Sequence, residues 1–446
     1  MAKPAIVFVC ADCGAETLKW QGQCPQCSHW NTLEQRTVTR RPSGPASAAP
    51  PSMDLADLAT ELPRLETGMG ELDRVLGGGL IPGSVTLLGG EPGIGKSTLL
   101  LQLANHAARH TPTLYLSAEE SVAQIGLRAR RLGVGGSHLR VVADTDLEAM
   151  MTRAREEGVK LLIVDSIQTV QLASIGTAAG AITQLKECTA QLVRFAKSTG
   201  VSVIIIGHVT KDGAIAGPRV LEHLVDTVLY FESDASSRFR NVRATKNRFG
   251  SVGELAFFHM GEAGLREVRN PSAIFLARSG APAPGSVVAV TRDGRRPLLV
   301  ELQGLVDRMR FGSPRRVAQG LDAQRVAMLL AVMNRHAGVS LQEHDVFVNL
   351  VGGLEVTETA CDLPVALALA SSLADKPIAQ DLVAFGELGL TGELRPVAYG
   401  EERLREAAKQ GFTVALIPKD NAPRTPIEGL RVREFTRLDD ALKFAL

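Results

Sequence analysis

The sequence predicts an α/β protein with a mostly parallel central sheet, preceded by a small four-cysteine module and followed by a separate α+β domain. Three observations carry that prediction. Four of the six cysteines stand in two C-x-x-C pairs, Cys10/Cys13 and Cys24/Cys27. From residue 65 to about 270, short β-branched runs alternate with helix-length segments, the pattern of a parallel sheet covered on both faces. Past the Pro/Gly-rich stretch at 279–285 the alternation breaks into a mixed order of strands and helices.

Length and composition agree. At 446 residues the chain is too long for one ordinary domain, and roughly 150 residues per domain suggests about three. With 45% hydrophobic and 22% charged residues the chain is globular rather than disordered. A net charge of +1 excludes a polycation but leaves room for a local basic groove. Only 4% of residues are aromatic, which excludes a surface built throughout on base stacking. No apolar run approaches the ~20 residues that cross a bilayer, so we expect a cytoplasmic protein with no membrane partner.

The first expected unit, 1–32, is a metal module. Each C-x-x-C can form a knuckle, and four thiolates favour a closed structural zinc (Zn2+) site. A pair of redox dithiols is the alternative, but one C-x-x-C would serve there and no βαβ unit surrounds these. Gly14 and Gly22 are placed to ease the turns. Both tryptophans, Trp20 and Trp30, lie here and are expected to pack around the metal, the alternative being that one ring stacks on a base or a partner. Residues 33–64 include a Pro/Ala/Ser-rich run and read as a flexible linker.

In the second unit, 65–270, strands are expected at 84–89, 113–117, 139–143, 160–165 and 201–207. Helices are expected at 95–109, 121–132 and 180–199, with Gly200 stopping the last. Gly90, Glu91, Pro92, Gly93, Ile94, Gly95, Lys96 and Ser97 fit the phosphate-loop pattern G-x-x-x-x-G-K-[ST] between a strand and a helix, with Thr98 in the same first turn. The loop would turn its backbone N–H groups onto the phosphates of ATP, with Lys96 supplying charge and Ser97 binding magnesium (Mg2+). Asp165 ends an apolar strand, where its carboxylate is expected to reach the magnesium through water. Glu119 and Glu120 follow strand 113–117, expected beside the phosphate-loop strand; Glu119 is the expected base for the attacking water. His208 ends strand 201–207, where it serves as a γ-phosphate sensor or as a structural hydrogen-bonder. Cys188 and Cys361 fall in apolar helical patterns and read as core thiols.

Four stretches together resemble one family. They are Thr67-Gly-Met-Gly-Glu-Leu-Asp-Arg-Val-Leu-Gly-Gly-Gly79, the phosphate loop, Ser117-Ala-Glu-Glu-Ser121 and Lys246-Asn-Arg-Phe-Gly250. The chain resembles the RadA (Sms) family of bacterial DNA repair proteins over essentially its whole length. The resemblance implies a RecA-like P-loop ATPase domain between the zinc module and a Lon-protease-like C-terminal domain at 271–446. It implies a hexameric ring with ATP between subunits, where Lys246 and Arg248 form a basic finger completing the neighbour's site. It places DNA on the loops 167–183 and 211–222, with Lys211 and Arg219 as backbone contacts. The implied function is DNA-stimulated ATP hydrolysis of helicase or branch-migration type. It would act on single-stranded and branched recombination intermediates alongside the RecA recombinase.

The third unit is expected to carry strands at 286–291, 297–301, 345–350 and 414–418 and helices at 323–335, 363–373 and 401–410. By resemblance to Lon, a serine belongs near Ala360 and a lysine near Glu401; neither residue can fill its role in a Ser–Lys dyad. The expected domain is therefore a non-proteolytic scaffold. An ATP-dependent protease and a nucleotide-switched regulatory ring similar to KaiC are the alternative readings.

Overall fold

The structure, a computed structural model, describes residues 5–38, 54, 63–136, 138–208, 218–233, 239–276, 281–309, 312–352 and 354–446. The chain divides into two compact units, the first reaching Val268 and the second continuing from Arg269.

The first unit opens with three short strands, β1 (Ala5–Cys10), β2 (Glu16–Thr17) and β3 (Leu33–Val38), in the order β2-β1-β3. β3 runs antiparallel to β1 from Cys10↔Leu33 to Ala5↔Val38. The linker therefore does not begin at residue 33. Apart from Leu33 at its start, β3 is almost all polar, so its sequence shows little sign of a buried face.

The central sheet is built from β4 (Val85–Gly90), β5 (Thr113–Ser117), β6 (Leu139–Ala143), β7 (Leu161–Asp165), β8 (Ser202–His208), β9 (Thr227–Glu232), β10 (Phe239–Asn247), β11 (Leu255–Gly261) and β12 (Gly264–Glu267). Its order is β12-β11-β10-β9-β4-β8-β7-β5-β6. The strands from β9 through β6 pair in parallel, while β10 to β12 add an antiparallel ribbon. β5 is flanked by β6 and β7, not by the phosphate-loop strand β4 as expected; β8 and β7 stand between them.

Helices cover both faces. Leu88 of β4 joins α1 (Gly70–Leu76), α2 (Lys96–Ala107) and Ile125 of α3 (Val122–Leu132) in one apolar layer. Leu87 joins α4 (Leu147–Glu156) and α5 (Ile182–Thr199) in the other. One-residue alternation along a strand thus feeds two cores, which is why these strands read as continuous apolar runs. A capping box between Ser121 and Gln124 starts α3. Gly200 ends α5 in the left-handed conformation, at the position the sequence indicates. Residues 218–222 form the short helix α6 (Pro218–Glu222).

The second unit begins with a single helical turn, α7 (Ser272–Phe275). Its sheet contains β13 (Ser286–Asp293), β14 (Arg296–Arg308), β15 (Arg316–Gln319), β16 (His344–Leu350), β17 (Leu382–Ala384), β20 (Val414–Pro418) and β21 (Arg431–Phe435), in the order β15-β16-β14-β13-β17-β20-β21. The expected strand at 297–301 is the first part of β14, which continues to Arg308. β18 (Glu387–Leu388) and β19 (Leu394–Arg395) form a separate ribbon. The helices are α8 (Ala323–Ala337), α9 (Asp362–Ala374), α10 (Gly400–Lys409) and α11 (Leu438–Ala445). α9 is buried from Asp362 to Ser371 and packs on β13 and β14.

Candidate functional site

The phosphate loop occupies the step from the C-terminal end of β4 to the start of α2. Gly95 caps α2 at φ 116°, and a Cβ there would lie 2.6 Å from Met260 Cε. A left-handed turn at this point aims the first N–H groups of α2 into the loop, where anionic phosphates are stabilised. Lys96 is buried, and its Nζ donates to the carbonyls of Gly90 and Glu91, each at 2.8 Å. Burial pulls its pKa down to about 8, opposed by the charges of Asp165, Glu119 and Glu91. Ser97 and Thr98 are half-buried in the first turn. A hydroxyl to bind a hard divalent cation, with the nearby carboxylate of Asp165 to accept from one of its waters, is an all-oxygen set of the kind such a cation takes, so the site fits magnesium.

Asp165 ends β7 with its side chain buried, and Tyr115 OH donates to its Oδ2 at 2.5 Å. The backbone N–H of Ala118 donates to the Asp165 carbonyl at 2.7 Å, which ties β5 to β7 just beyond the paired residues. Glu119 reaches the phosphate loop although its strand is not beside β4. Its Oε1 accepts from the hydroxyl of Ser166 and lies 3.2 Å from His208 Nε2. His208 is paired directly with Gly90 across β8 and β4. Glu120 instead turns away into an ion pair with Arg128 at 2.5 Å. Of the two carboxylates, then, Glu119 faces the site. Gln168 donates to the His208 carbonyl at 3.4 Å, so the loop after β7 is attached to the same cluster. Sequence reasoning missed Tyr115, Ser166 and Gln168. A lone phenol inside an apolar strand was the available clue for the first; the other two have none.

Lys246 and Arg248 are not brought to this chain's own phosphate loop. Lys246 Nζ donates to the carbonyls of Glu222 (2.7 Å) and Val225 (2.8 Å), and Arg248 pairs with buried Asp226 at 3.0 Å. Asp226 in turn accepts from the N–H of Val85, the first residue of β4. The phosphate loop starts five residues further on, about 16 Å along the strand. Lys211 and residues 209–217 lie outside the described residues; Arg219 falls in α6. In the other expected loop, buried Gln184 donates to the carbonyls of Leu172, Ile175 and Thr177 and accepts from the N–H of Leu172. One amide therefore fixes the course of that loop.

The four cysteine sulfurs all lie within 4.8 Å of one another. Cys10 and Cys27 are 3.6 Å apart, and Cys13 and Cys24 3.5 Å. A tetrahedral zinc with sulfur ligands at about 2.3 Å needs sulfurs about 3.8 Å apart, so the cluster fits the metal. The two knuckles are equivalent, closed by Gly14 N–H to the Cys10 carbonyl and Ser28 N–H to the Cys24 carbonyl, both 2.9 Å. Ser28, at φ 61°, takes the second turn rather than Gly22. The tryptophans do not pack around the metal: Trp20 and Trp30 are 56% and 69% exposed. Phe8, Ala15 and Leu33 surround the sulfurs instead. A three-stranded module has no second layer to cover two indoles.

Comparison with known proteins fits this layout. Residues 8–35 match the family described as a rubredoxin metal binding domain, 50–214 an AAA domain, and 314–421 the ChlI subunit of Mg-chelatase. The chain is 50% identical to the DNA repair protein RadA of Pseudomonas aeruginosa over 99% of both chains. It is 44% identical to that of Bacillus subtilis over the full length of both. The chain belongs to the RadA family. It thus combines a RecA-like ATPase domain, a zinc module and a Lon-like domain in the service of DNA repair and recombination. The crystal structure of the RadB recombinase aligns with 46% of the chain at 24% identity, with a TM-score of 0.38.

In this RadA-family chain the Lon-like region holds Ala360 buried in a single 3-10 turn and Glu401 in the first turn of α10, where it pairs with Arg405 at 2.6 Å. The same unit holds a different polar arrangement. Fully buried Arg403 makes a two-pronged pair with Glu358 (2.9 and 2.6 Å) and donates to the carbonyls of Val290 and Ala398. Arg325 grips Asp362 in the same forked way. Cys188 and Cys361 are buried thiols pushed up to about 12 by burial.

Proposed function

We propose that the chain is a DNA-stimulated ATPase motor, assembled as a hexameric ring, that unwinds or branch-migrates recombination intermediates together with the RecA recombinase. The observation that carries the reading is the junction of Glu119, Ser166, His208 and Gln168. Glu119 is held beside the phosphate loop by Ser166 and His208, while Ser166 immediately precedes, and Gln168 lies at the start of, the loop expected to meet DNA. A change in that loop on binding DNA therefore moves the group that orients the attacking water. Lys96 and the loop N–H groups hold the β- and γ-phosphates, Ser97 and Asp165 hold the magnesium, and Glu119 accepts the water's proton. His208, beside Gly90, couples the γ-phosphate to Gln168. Lys211 and Arg219 would add backbone contacts to DNA. Magnesium supplies charge neutralisation on the transferring phosphoryl group.

Lys246 and Arg248 stand at the opposite end of β4, so within one chain they cannot touch the nucleotide. A neighbouring copy in a ring can present them, and a cation delivered there stabilises the charge of the transition state. The C-terminal unit serves as a scaffold rather than a protease, since the Ala360 methyl offers no nucleophile and Glu401 no base of the lysine kind.

Two measurements test this. ATP turnover is compared with and without single-stranded DNA, beside Lys96→Ala; stimulation that disappears in the variant is expected. Turnover indifferent to DNA would refute the motor and favour a regulatory ring. Mixing Lys96→Ala chains with Lys246→Ala chains should restore turnover, because some interfaces then pair two intact halves. A mixture as inactive as its components would refute catalysis shared between subunits.

A further inference from the structure

Tyr115 lies in the middle of β5, between Leu114 and Leu116, and is 1% exposed. Its ring belongs to the apolar layer that contains Ile163 and the buried face of α2. A phenylalanine would fill that space equally well. The hydroxyl is a polar group taken out of water and needs a partner where it ends.

The parallel register decides which partner it meets. Tyr115 is opposite Ile163, and side chains two apart share a face, so Asp165 is its diagonal neighbour on the same side of the sheet. The length of the ring spans that interval and delivers the OH to Asp165 Oδ2 at 2.5 Å. The backbone of Asp165 is fixed separately by Ala118. The main freedom left to its carboxylate is rotation, and the phenol stops it. Without that hydrogen bond the carboxylate is free to swing toward Lys96, whose charge it already feels most among the nearby acids. It would then compete with the phosphates for the lysine and leave the metal.

We infer that Tyr115 is the positioning residue for the magnesium ion: its hydroxyl holds one oxygen of Asp165 so that the other meets a water of the metal. This rests on the proposed role of Asp165 at the magnesium. Outer partners that orient a metal-binding group are typically worth about 10–100-fold in metal affinity, and a contact made through water belongs at the lower end, about tenfold.

The test is a binding measurement. The dissociation constant of ADP is determined by calorimetry on the full-length chain in EDTA and in Mg2+, and the ratio gives the metal's contribution. Tyr115→Phe is expected to lower that ratio about tenfold and to leave the EDTA value unchanged. Asp165→Asn should lower it too, and adding Tyr115→Phe to Asp165→Asn should change nothing more. An unaltered ratio in Tyr115→Phe, beside a lowered one in Asp165→Asn, overturns the inference alone. An equal loss of affinity with and without metal also overturns it, because that is a packing defect. An unaltered ratio in Asp165→Asn overturns both the inference and the reading beneath it. Should Tyr115→Phe fail to fold, 3-fluorotyrosine in a Tyr230→Phe/Tyr399→Phe chain leaves one labelled ring. Its fluorine resonance is expected to move when Mg2+ joins bound ADP, and a resonance that stays in place overturns the inference.

Discussion

Raising the pH should weaken nucleotide binding through Lys96 alone. In the free protein this lysine is buried and its pKa stands at about 8. Bound phosphates would restore a value near the ordinary ~10.4 of lysine, or above it. Between those two values the free protein must take up a proton to bind. From pH 7 to pH 9 the free lysine goes from about nine-tenths charged to about one-tenth, while the bound one stays charged. ADP affinity should therefore fall about tenfold over that interval. Calorimetry in Mg2+ at several pH values measures it, with proton uptake read from buffers of different ionisation enthalpy. Lys96→Arg keeps its charge throughout and should bind with no such slope, which removes contributions from every other group. The stability of the ligand-free protein moves the opposite way. A folded-state pKa lowered to about 8 means that the unfolded chain holds the extra proton above that value, so stability rises between about pH 8 and 10.4. A wild-type affinity constant within twofold from pH 7 to 9, or an equal slope in Lys96→Arg, would refute the reasoning.

Glu119→Gln should reduce ATP turnover roughly a hundredfold or more while leaving the ADP dissociation constant within about twofold; an equal loss in both would assign Glu119 to binding. Stripping zinc with a strong chelator should unfold residues 5–38, whose core consists of the cysteines and few apolar side chains. Hydrogen exchange should then lose protection there and keep it in β4, β7 and β8, and protection retained in β1 would argue that the module stands without metal. Since both tryptophans lie in this module and are exposed, intrinsic fluorescence should be quenched fully by acrylamide, with nucleotide leaving it unchanged.

How far the sequence announces the structure depends on whether a residue's role is set by its neighbours along the chain or by its neighbours in space. The phosphate loop is legible because strand, glycines and helix start are contiguous. The four cysteines are legible because metal spacing is local. β3 is not, since Gln35, Arg36 and Thr37 have no apolar periodicity to announce the backbone pairing with β1. The neighbours of β5 are not legible either: nothing within residues 113–117 states that β7, forty-odd residues later, will insert between it and β8. The expectation for Glu119 rests on its strand lying beside β4, which it does not; the residue still comes near the phosphate loop because it lies just past the C-terminal end of a parallel strand, where such ends converge on one edge of the sheet. Its contacts with Ser166 and His208 cross three strands and depend on the folded order.

The Lon-like unit shows the same distinction from the other side. Buried backbone carbonyls that water does not reach cost about 1–3 kcal/mol each if unpaired. Arg403 answers that need: its guanidinium satisfies the carbonyls of Val290 and Ala398 and both oxygens of Glu358, which in turn accepts from Thr291 and the N–H of Arg292. Removing the arginine alone breaks four hydrogen bonds and leaves a partly buried carboxylate without its cation. Arg403→Met should therefore cost about 3 kcal/mol, and Arg403→Met with Glu358→Gln distinctly less than the two single changes summed. Urea unfolding of the full chain, followed by hydrogen exchange in β13 and α10, measures both. If the pair exists to hold the scaffold, ATP turnover per folded chain at low temperature should stay within about twofold in the single variant. If turnover instead falls with stability unaffected, the pair acts on function directly and the scaffold reading of this unit fails.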